Sequence, residues 1–461
     1  MIESYDDAIA YLERLVATPV RGTPEAKLAR ARALLARAGD PQGRFATLHV
    51  TGSAGKGSTA ALSAGILRAA GYRTGLFTSP HLRDYTERIA VDGAPIARAD
   101  WARLLEKLRP AIENLAADRT PGYTLGRPAF MEVLWALAAL YFAERAVDIA
   151  VVEVGRGGRY DPTTVNSARV GIITNVSLEH AELLGPTLAD IARHKAGIAK
   201  PGGIVVTAAT EATALRIIAE ECARLDALLW RVTAGEGDGE VRYAAEDDPS
   251  GFRIATPAHE YVDLPLGLLG PHQRANAACA VGAIDALGVL GVLGVARAGG
   301  RADEVAVRRA LAATRVPGRL EWMGDDPRTL LDGAHSADAA RALAVALPAL
   351  LPGVAGPRGE PGGRAVFLLG ILGDKDIAAM VGALTPFAAA VVVTEPPWER
   401  RAGGAHIVME ELLRRVPAPD VAFVPDHTKA LARAQELARA HGLPLVVTGS
   451  LILIGAVRPL L

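Results

Sequence analysis

The chain has 461 residues, half of them hydrophobic, and its 50 Lys and Arg residues nearly balance 51 Asp and Glu residues. This length exceeds what one ordinary core accommodates and predicts two domains. The formal net charge of −1 gives no electrostatic reason to expect nucleic acid or an anionic membrane as a partner.

Cysteine content and the apolar stretches favour a cytoplasmic protein. Two cysteines, Cys222 and Cys279, cannot build a disulfide framework, and neither lies in a Cys-x-x-Cys motif. Residues 1–15 are acidic and helix-like, without the pattern of a signal peptide. The most apolar long stretch, residues 278–296, contains Asp285 and several glycines, which favours a buried helix and turn over a membrane span. We therefore expect no membrane partner.

Short apolar runs alternate with helical patterns through the N-terminal part of the chain. The runs span residues 46–50, 73–78, 149–154, 170–176 and 202–208. Continuous apolar runs of about six residues suit strands that are buried on both faces of a parallel sheet. Residues 57–70 between the first two runs place Leu62, Ile66 and Leu67 on one side of a helix. This alternation predicts a doubly wound α/β domain.

Later regions complete the predicted architecture. Residues 230–266 contain polar, Gly- and Asp-rich turns around short β-like pieces, which predicts a small antiparallel appendage before a helix near residues 272–286. A second alternating series has apolar runs at residues 328–335, 365–372, 389–395 and 443–449. The sequence thus predicts two α/β domains. Residues 1–315 form a doubly wound, mainly parallel sheet with the appendage, and residues 316–461 form a smaller, Rossmann-like C-terminal domain.

The stretch HVTGSAGKGSTA, residues 49–60, is a candidate phosphate-binding loop with unusual spacing. The Walker A pattern needs four residues between its first glycine and its Gly-Lys pair; here there are two, and a further glycine separates Lys56 from Ser58. A strand pattern precedes the loop and a helix pattern follows it, which is the context that a phosphate loop needs. Glycines let backbone N–H groups converge on phosphate oxygens, Lys56 supplies a positive charge, and the Ser58 hydroxyl can reach Mg²⁺. The alternative is a tight strand-to-helix turn with an incidental Lys and Ser.

Four other residues are candidates whose roles the residues alone leave open. Glu153 ends a buried strand, where open parallel sheets bind ligands, and its carboxylate suits Mg²⁺ or, alternatively, an ion pair. The Glu179–His180 pair follows another strand, although a lone histidine is more often structural. Lys195, taken alone, would be an exposed cation on a helix.

The loop and the segments after it resemble one family of ATP-using enzymes. GSAGKGS is similar to the TGTNGKGS loop of the Mur ligase superfamily, which has this shorter spacing. SPHLRDYTERI resembles the Ser-Pro-His-Leu block of the folylpolyglutamate and dihydrofolate synthases. Further blocks resemble that family in order, at residues 151–163, 177–185, 193–202, 272–277, 317–321, 332–335, 370–377 and 448–451. By this resemblance the first domain is an ATP-binding Mur-ligase-type central domain and the second a glutamate-ligase domain.

The resemblance also implies site residues and cofactors. ATP would be bound by Gly52, Gly55, Lys56, Gly57, Ser58, Thr59, Asn276, Arg319 and Asp332. Two Mg²⁺ ions would be held by Ser58, Glu153, His180 and Lys195, and K⁺ is a further expected cofactor. Lys195 would be carbamylated by CO₂ to N6-carboxylysine, which requires an amine whose pKa is lowered by burial or by nearby cations. Lys56, Lys195 and His335 would act in catalysis, and Ser79, His81, Asp161 and Ser450 would contact substrates.

Several positions depart from the family pattern, including the segment DPTT at residues 161–164, where the family has DATN. The family has Asn where this chain has Ala54, Asp at Glu179, and Asn at Ser336. The aromatic residue that stacks on the pterin in some members aligns with Met131. None of these changes removes the Lys, Ser, Glu or His that phosphate chemistry needs, but several touch the acceptor pocket. They leave the identity of the acceptor open.

The predicted function is an ATP-dependent amide ligase. It would add L-glutamate to the carboxylate of a pteroate or folate through an acyl phosphate, as a dihydrofolate synthase, a folylpolyglutamate synthase or both, and would act as a monomer. One alternative is a Mur-type ligase that couples an amino acid to a different carboxylate. Another is a P-loop switch protein that hydrolyses nucleotide without ligation. That class uses base-specificity motifs such as Asn-Lys-x-Asp, which the sequence lacks.

Overall fold

The computed structural model describes residues 2–17, 22–117, 125–179, 181–235, 237–244, 252–293, 302–351, 363–397, 404–415 and 420–461. The chain divides into two compact units. The first comprises Met1–Gly267 and Arg274–Thr314, and the second comprises Leu268–Gln273 and Arg315–Leu461. Within the described ranges, no helix combines the length and the apolar character that crossing a membrane requires.

Helices and strands succeed one another along the chain up to residue 314. They are α1 Tyr5–Ala17, α2 Pro24–Arg37, β1 Ala46–Thr51, α3 Lys56–Ala69, β2 Thr74–Phe77, β3 Ile89–Val91, β4 Ala94–Pro95, α4 Arg98–Ala117, α5 Phe130–Glu144, β5 Ile149–Glu153, β6 Val170–Ile173, α6 Ala181–Leu184, α7 Leu188–Ala196, β7 Ile204–Thr207, α8 Ala212–Arg224, β8 Leu228–Ala234, β9 Val241–Tyr243, β10 Ile254–Ala255, β11 Glu260–Tyr261, α9 His272–Val289 and α10 Glu304–Ala313.

The strands of the first unit are ordered β11-β10-β9-β8-β7-β6-β1-β5-β2-β3-β4. The five central strands, β7, β6, β1, β5 and β2, pair in parallel. They arise from the apolar runs of the sequence, and every residue of β5, β6 and β7 is buried. The prediction of a doubly wound, mainly parallel sheet is confirmed. Helices cover both faces of such a sheet, which accounts for the complete burial of these strands.

Among the described strands, antiparallel pairing is confined to the ends of this order. At one end it joins β9 to β10 and β10 to β11, which is the predicted appendage. That region is less separate than expected, because β8 pairs in parallel with β7 and β9 in parallel with β8. At the other end, β3 and β4 form an antiparallel edge that the sequence analysis does not predict.

Among the described residues of the first unit, two apolar clusters lie between helices and the sheet. One joins α1, α2, α4 and α5 to strands β2 and β5, with the fully buried indoles of Trp101 and Trp135 near its centre. The other joins α7 and α8 to residues such as Ile173 and Val205. Helix α5 is apolar on all sides, as expected for a buried helix, and it carries a buried ion pair at its start between Glu132 and Arg30 of α2, at 3.0 Å.

The second unit has its own sheet and core. Its elements are β12 Glu321–Met323, β13 Thr329–Leu331, α11 Ala337–Leu350, β14 Ala365–Leu369, α12 Ile377–Leu384, β15 Ala388–Val393, α13 Ala405–Leu413, β16 Val421–Phe423, α14 His427–His441, β17 Leu445–Thr448 and α15 Leu451–Val457. The strand order is β12-β13-β17-β14-β15-β16, parallel apart from β12. Four of the strands coincide with the predicted apolar runs, and the sheet is that of a smaller α/β domain.

Candidate functional site

The carboxyl ends of neighbouring parallel strands bring several predicted residues to one edge of the first sheet. Strand β1 leads into the phosphate loop, β5 ends at Glu153, and β2 leads to Ser79. Because β5 lies between β1 and β2 in the sheet, these three positions are neighbours. The backbone N–H of Ser79 donates a hydrogen bond to Glu153 Oε2 at 3.0 Å. This edge is where open parallel sheets bind their ligands.

Two glycines give the phosphate loop its shape. Gly52 has φ 151° and lies against Thr174, and Gly55 has φ 80° and lies against Asn276; a Cβ atom at either position would collide with that neighbour. Gly55 is also the N-cap residue of α3 and supplies no side-chain oxygen to it. The first-turn N–H groups of α3 are therefore not capped by the side chain of their N-cap residue, and they form a positive helix terminus suited to an anion.

Residues that follow β6 hold the same loop from the side. The Asn175 carboxamide oxygen accepts hydrogen bonds from Ser53 N at 3.0 Å and Ala54 N at 2.8 Å. The Thr174 hydroxyl donates to Ala54 O at 2.5 Å. Neither residue is among the predicted site residues. The apolar run at residues 170–176 places both inside a strand, whereas β6 ends at Ile173, so the local sequence gives no signal that they hold the phosphate loop.

Lys56 lies over the loop that contains it. Its ammonium group donates to Gly52 O at 2.8 Å and to Ser53 O at 3.3 Å. These carbonyl partners are local, so phosphate oxygens could replace them without any rearrangement of the fold. Thr59 is fully buried one turn into α3, and its hydroxyl has no hydrogen-bond partner within the described residues.

Ser58 and Glu153 fit a hard divalent cation. Both side chains are buried, and hydroxyl and carboxylate oxygens are ligands that Mg²⁺ prefers. A Cβ atom on Gly57 would lie 3.8 Å from Glu153 Oε2, an ordinary contact distance, so the start of α3 lies beside this carboxylate. His180, the third predicted ligand, lies outside the described residues. Within those residues no group of three or more His, Cys, Asp or Glu side chains is arranged to hold a metal.

Lys195 is not the exposed helix cation that its local sequence suggests. Its side chain is 0 % exposed at the end of α7, and its ammonium donates to Glu179 Oε1 at 2.7 Å. Burial lowers the pKa of Lys195 to about 8, an effect that the neighbouring Lys56 charge reinforces and the Glu179 charge opposes. The structure therefore brings together Lys195, Lys56 and Glu179, one of the positions that departs from the family.

The first-unit residues that the resemblance assigns to substrate contacts lie on two loops beside this edge of the sheet. The His81 Nδ1 atom accepts a hydrogen bond from Arg88 Nε at 2.8 Å, and burial lowers the pKa of His81 to about 4. Asp161 is buried, which raises its pKa, and its carboxylate accepts hydrogen bonds from the backbone N–H groups of Arg156 and Thr163. Met131 and Asp161 both border Gly155: a Cβ atom there would lie 2.9 Å from Met131 Cε and 3.2 Å from Asp161 Oδ2.

The second unit assembles its predicted residues around the ends of β13 and β17. The Asp332 carboxylate accepts hydrogen bonds from Leu320 N and Ala334 N, each at 3.0 Å, and burial raises its pKa. His335 bonds through Nδ1 to Gly333 O at 2.9 Å. Arg319 Nη1 lies 3.3 Å from where a Cβ atom on Gly333 would be. The Ser450 hydroxyl caps α15 by accepting from Leu453 N at 3.1 Å.

Comparison with known proteins assigns this arrangement to a class. Residues 127–284 match the model of the Mur ligase middle domain, and residues 318–451 match that of the Mur ligase glutamate ligase domain. Each match lies largely within one of the two units. The chain is accordingly an ATP-dependent ligase of the Mur type.

Individual relatives narrow the class. The chain is 36 % identical to a dihydrofolate synthase/folylpolyglutamate synthase of Bacillus subtilis, over 75 % of this chain and 76 % of the relative. It is 32 % identical to the folylpolyglutamate synthase of Lacticaseibacillus casei, over 99 % and 98 %. A solved Mycobacterium tuberculosis folylpolyglutamate synthase complexed with ADP superposes with a TM-score of 0.85 at 30 % identity, covering 99 % of this chain and 98 % of that one. The chain belongs to the folylpolyglutamate synthase/dihydrofolate synthase family, as the sequence motifs predict.

Proposed function

We propose that this ligase joins the amine of L-glutamate to the carboxylate of a pteroyl acceptor, a pteroate or a folate, with ATP as the energy source. The observation that carries the proposal is the edge of the first sheet. There the Lys56 ammonium donates to carbonyls of its own loop, beside the buried oxygens of Ser58 and Glu153. Charge neutralisation around a phosphoryl group needs this combination of a cation and oxygen ligands for Mg²⁺.

The proposed chemistry has two steps. A carboxylate oxygen of the acceptor attacks the γ-phosphorus of ATP, the bond from that phosphorus to the bridging oxygen breaks, and ADP leaves. The amine of glutamate then attacks the acyl carbon of the acyl phosphate, loses a proton, and inorganic phosphate leaves with its bonding electron pair. A free carboxylate is a poor electrophile, so the first step supplies the leaving group for the second.

Residues of the first unit bind and orient the phosphates in this proposal. N–H groups at the start of α3 donate to phosphate oxygens, and the Lys56 ammonium moves from its loop carbonyls to the transferred phosphoryl group. The hydroxyl of Ser58 and the carboxylate of Glu153, with His180, would hold Mg²⁺, which offsets phosphate charge when it is bound. Asn276, which packs against Gly55, is assigned to the nucleotide.

We further propose that the neutral amine of Lys195 attacks the carbon of CO₂ and releases a proton, which gives a carbamate whose oxygens would serve as ligands for a second Mg²⁺ ion. The reaction needs a neutral amine, and burial makes the neutral form of Lys195 more accessible than that of a surface lysine. Incubation with [¹³C]bicarbonate is expected to give a carbamate signal by ¹³C NMR that is absent from Lys195→Arg. An unchanged spectrum in the wild type would overturn this assignment.

Roles in the second unit follow the same family logic. Arg319 and Asp332 are assigned to ATP, His335 to positioning of glutamate, and Ser450 to a substrate contact. In the first unit, Ser79, His81 and Asp161 are assigned to the acceptor. The Nδ1 atom of His81 is engaged by Arg88, so the neutral ring carries its proton on Nε2 and can donate from that atom. We expect a monomer that is stimulated by K⁺; light scattering and assays with and without K⁺ test these two points.

The test of the proposed function is phosphate release in the presence of ATP, Mg²⁺ and L-glutamate. Dihydropteroate and reduced folates are compared as acceptors, and reactions that omit the acceptor or glutamate serve as controls. Release that requires both substrates, with a mass increase of one glutamyl unit in the acceptor, supports the proposal. ADP release that is independent of both would overturn it.

One observation favours a second candidate, a ligase of this family with a different carboxylate acceptor. Met131 occupies the position beside Gly155 and Asp161 where some members have a pterin-stacking aromatic residue. The flexible methionine side chain adapts to ligands of different shapes, whereas an aromatic ring favours a planar ligand that can stack on it. A panel of aromatic and aliphatic carboxylic acids, assayed for glutamate-dependent phosphate release, distinguishes the two candidates.

A further inference from the structure

A buried polar chain joins the strand before the phosphate loop to Asp161. His49 on β1 is completely buried, and its Nε2 atom lies 2.9 Å from Thr163 Oγ1. The Thr163 hydroxyl in turn donates to Asp161 Oδ1 at 2.5 Å. None of the roles proposed above uses His49 or Thr163.

The number of protons on each group fixes the direction of donation along these hydrogen bonds. The Thr163 hydroxyl has one proton, which it gives to Asp161, so it accepts from His49 and the Nε2 atom must carry a proton. Burial, reinforced by the charge of Lys200, lowers the pKa of His49 to about 3, so the ring is neutral at pH 7. Its other nitrogen, Nδ1, is then an unprotonated acceptor, and it has no hydrogen-bond partner within the described residues.

A second side chain on the same strand face holds the same loop. Thr51 lies two residues after His49, so both side chains project from one face of β1. The Thr51 hydroxyl donates to Gly157 O at 2.6 Å, and His49 reaches Thr163. Strand β1 thus fixes the loop between β5 and β6 at two points, one on each side of Asp161.

Burial of a histidine ring at this position costs folding free energy, so we expect its hydrogen bond to serve the site. Burying an imidazole with one nitrogen unpaired loses solvation that an aliphatic side chain of similar size would not lose. The buried Asp161 carboxylate accepts hydrogen bonds at Oδ1 from the hydroxyl and the N–H of Thr163, and at Oδ2 from the N–H of Arg156. The Thr163 hydroxyl, which His49 orients, is therefore one of two groups that hold Oδ1, while Oδ2 lies beside Gly155.

We propose that His49 is a positioning residue for the acceptor: through Thr163 it fixes the Asp161 carboxylate in the orientation that binds the pteroyl group. This rests on the proposed function, in which Asp161 contacts the acceptor. The strand that presents the phosphate loop would then also set the geometry of the acceptor-binding loop, so that the two substrates of the first step are aligned by one element.

The kinetic test compares His49→Leu, which removes the donor, with His49→Gln, whose amide can donate in its place. His49→Leu is expected to raise KM for the acceptor about tenfold, the value of roughly one hydrogen bond, with KM for ATP unchanged, and His49→Gln to restore most of the loss. Thr74→Val is the matched control, since Thr74 is a buried hydroxyl at the start of β2, which is separated from β1 by β5. An unchanged acceptor KM in His49→Leu, or an equal rise in both KM values, would overturn the proposal.

A spectroscopic test separates this proposal from the proposed function. In ¹⁵N-histidine-labelled wild-type protein at pH 7, His49 is expected as the neutral Nε2–H tautomer, and Thr163→Val is expected to shift its Nε2 resonance. An Nδ1–H tautomer, an imidazolium, or no response to Thr163→Val would show that the hydrogen bonds from His49 through Thr163 to Asp161 do not exist as described. If the chain is observed but no pteroyl acceptor supports phosphate release, the failure lies with the acceptor assignment, and the role of His49 toward that acceptor is excluded.

Discussion

Predicted site residues lie at the carboxyl ends of parallel strands in both units, but Lys56 and Lys195 of the first unit are held differently from Asp332 and Ser450 of the second. In the first unit, the Lys56 ammonium bonds to carbonyl oxygens of its own loop, and Lys195 bonds to the Glu179 side chain. In the second unit, Asp332 and Ser450 accept hydrogen bonds from backbone N–H groups. The Lys56 side chain, whose partners are carbonyl oxygens of its own loop, can be removed at the expense of chemistry alone. A buried acceptor of backbone N–H groups cannot, because its removal also lowers the free energy of unfolding.

The largest expected effect on activity tests the first half of this comparison. Lys56→Ala should lower kcat by about 10²–10³-fold, as expected for a group aimed at developing charge, and should leave the thermal midpoint of unfolding unchanged. Phosphate release and calorimetry measure the two quantities. Lys107→Ala is the control, because Lys107 forms a surface pair with Glu144 that contributes little. A large fall in the midpoint for Lys56→Ala would contradict the comparison.

The second half of the comparison is tested at Asp332. Asp332→Ala leaves the N–H groups of Leu320 and Ala334 without their acceptor, which should cost about 1–3 kcal/mol for each buried donor. Leu320 has φ 46°, an unfavourable conformation that this hydrogen bond supports. Denaturant unfolding measures the loss, and Asp325→Ala, at an exposed position of the same unit, should be neutral. If Asp332→Ala has the same free energy of unfolding as the wild type, the hydrogen bonds that Asp332 accepts do not stabilise the fold, and the comparison fails.

Gly55→Ala should combine both kinds of loss on a smaller scale. The left-handed conformation of Gly55 costs a non-glycine residue about 1–2 kcal/mol, and the added methyl would meet Asn276. We expect weaker ADP binding by isothermal titration calorimetry and a modest fall in stability. Gly43→Ala is the matched control, because a Cβ atom there meets nothing within 4 Å. Wild-type ADP affinity in Gly55→Ala would show that the loop does not need this conformation.

The smallest expected effect separates capping from substrate contact at Ser450. Loss of this N-cap should cost about 1 kcal/mol in Ser450→Ala. Asp426→Ala removes the N-cap of α14, where Asp426 accepts from Lys429 N at 2.9 Å, and should cost a similar amount. Only Ser450→Ala is expected also to raise KM for glutamate. If the two variants have the same steady-state kinetics, Ser450 is a cap and nothing more.

Much of the fold could be predicted from the sequence, because its central strands are continuous apolar runs. The predicted runs at residues 46–50 and 365–372 are β1 and β14, and the helix expected at residues 57–70 is α3, Lys56–Ala69. Strand direction at the edges could be predicted only in part: the antiparallel pairing of β9, β10 and β11 was expected, but the parallel pairing of β8 with its neighbours and the antiparallel edge of β3 and β4 were not. Strands β9, β10 and β11 have two or three residues each, and pairing of such short segments depends on distant neighbours rather than on local pattern.

The candidate site was predictable where its residues are adjacent in the chain. Gly52, Lys56 and Ser58 belong to one motif, and their context of strand, loop and helix is local. The burial of Lys195 and the contact between His49 and Thr163, 114 residues apart, arise from tertiary packing, which no local pattern encodes. For the same reason Asn175 could not be assigned to the loop it supports.

The contacts from Thr174 and Asn175 to the loop have a consequence for the thermodynamics of nucleotide binding. Hydrogen bonds from Ser53 N and Ala54 N to Asn175, and from Thr174 to Ala54 O, already restrain the first half of the loop. A ligand that meets a pre-ordered loop loses little of its binding energy to the ordering of backbone. Thr174 and Asn175 therefore support nucleotide affinity without any need to contact the nucleotide. The conformational entropy of the loop is lost when the protein folds and not when the nucleotide binds.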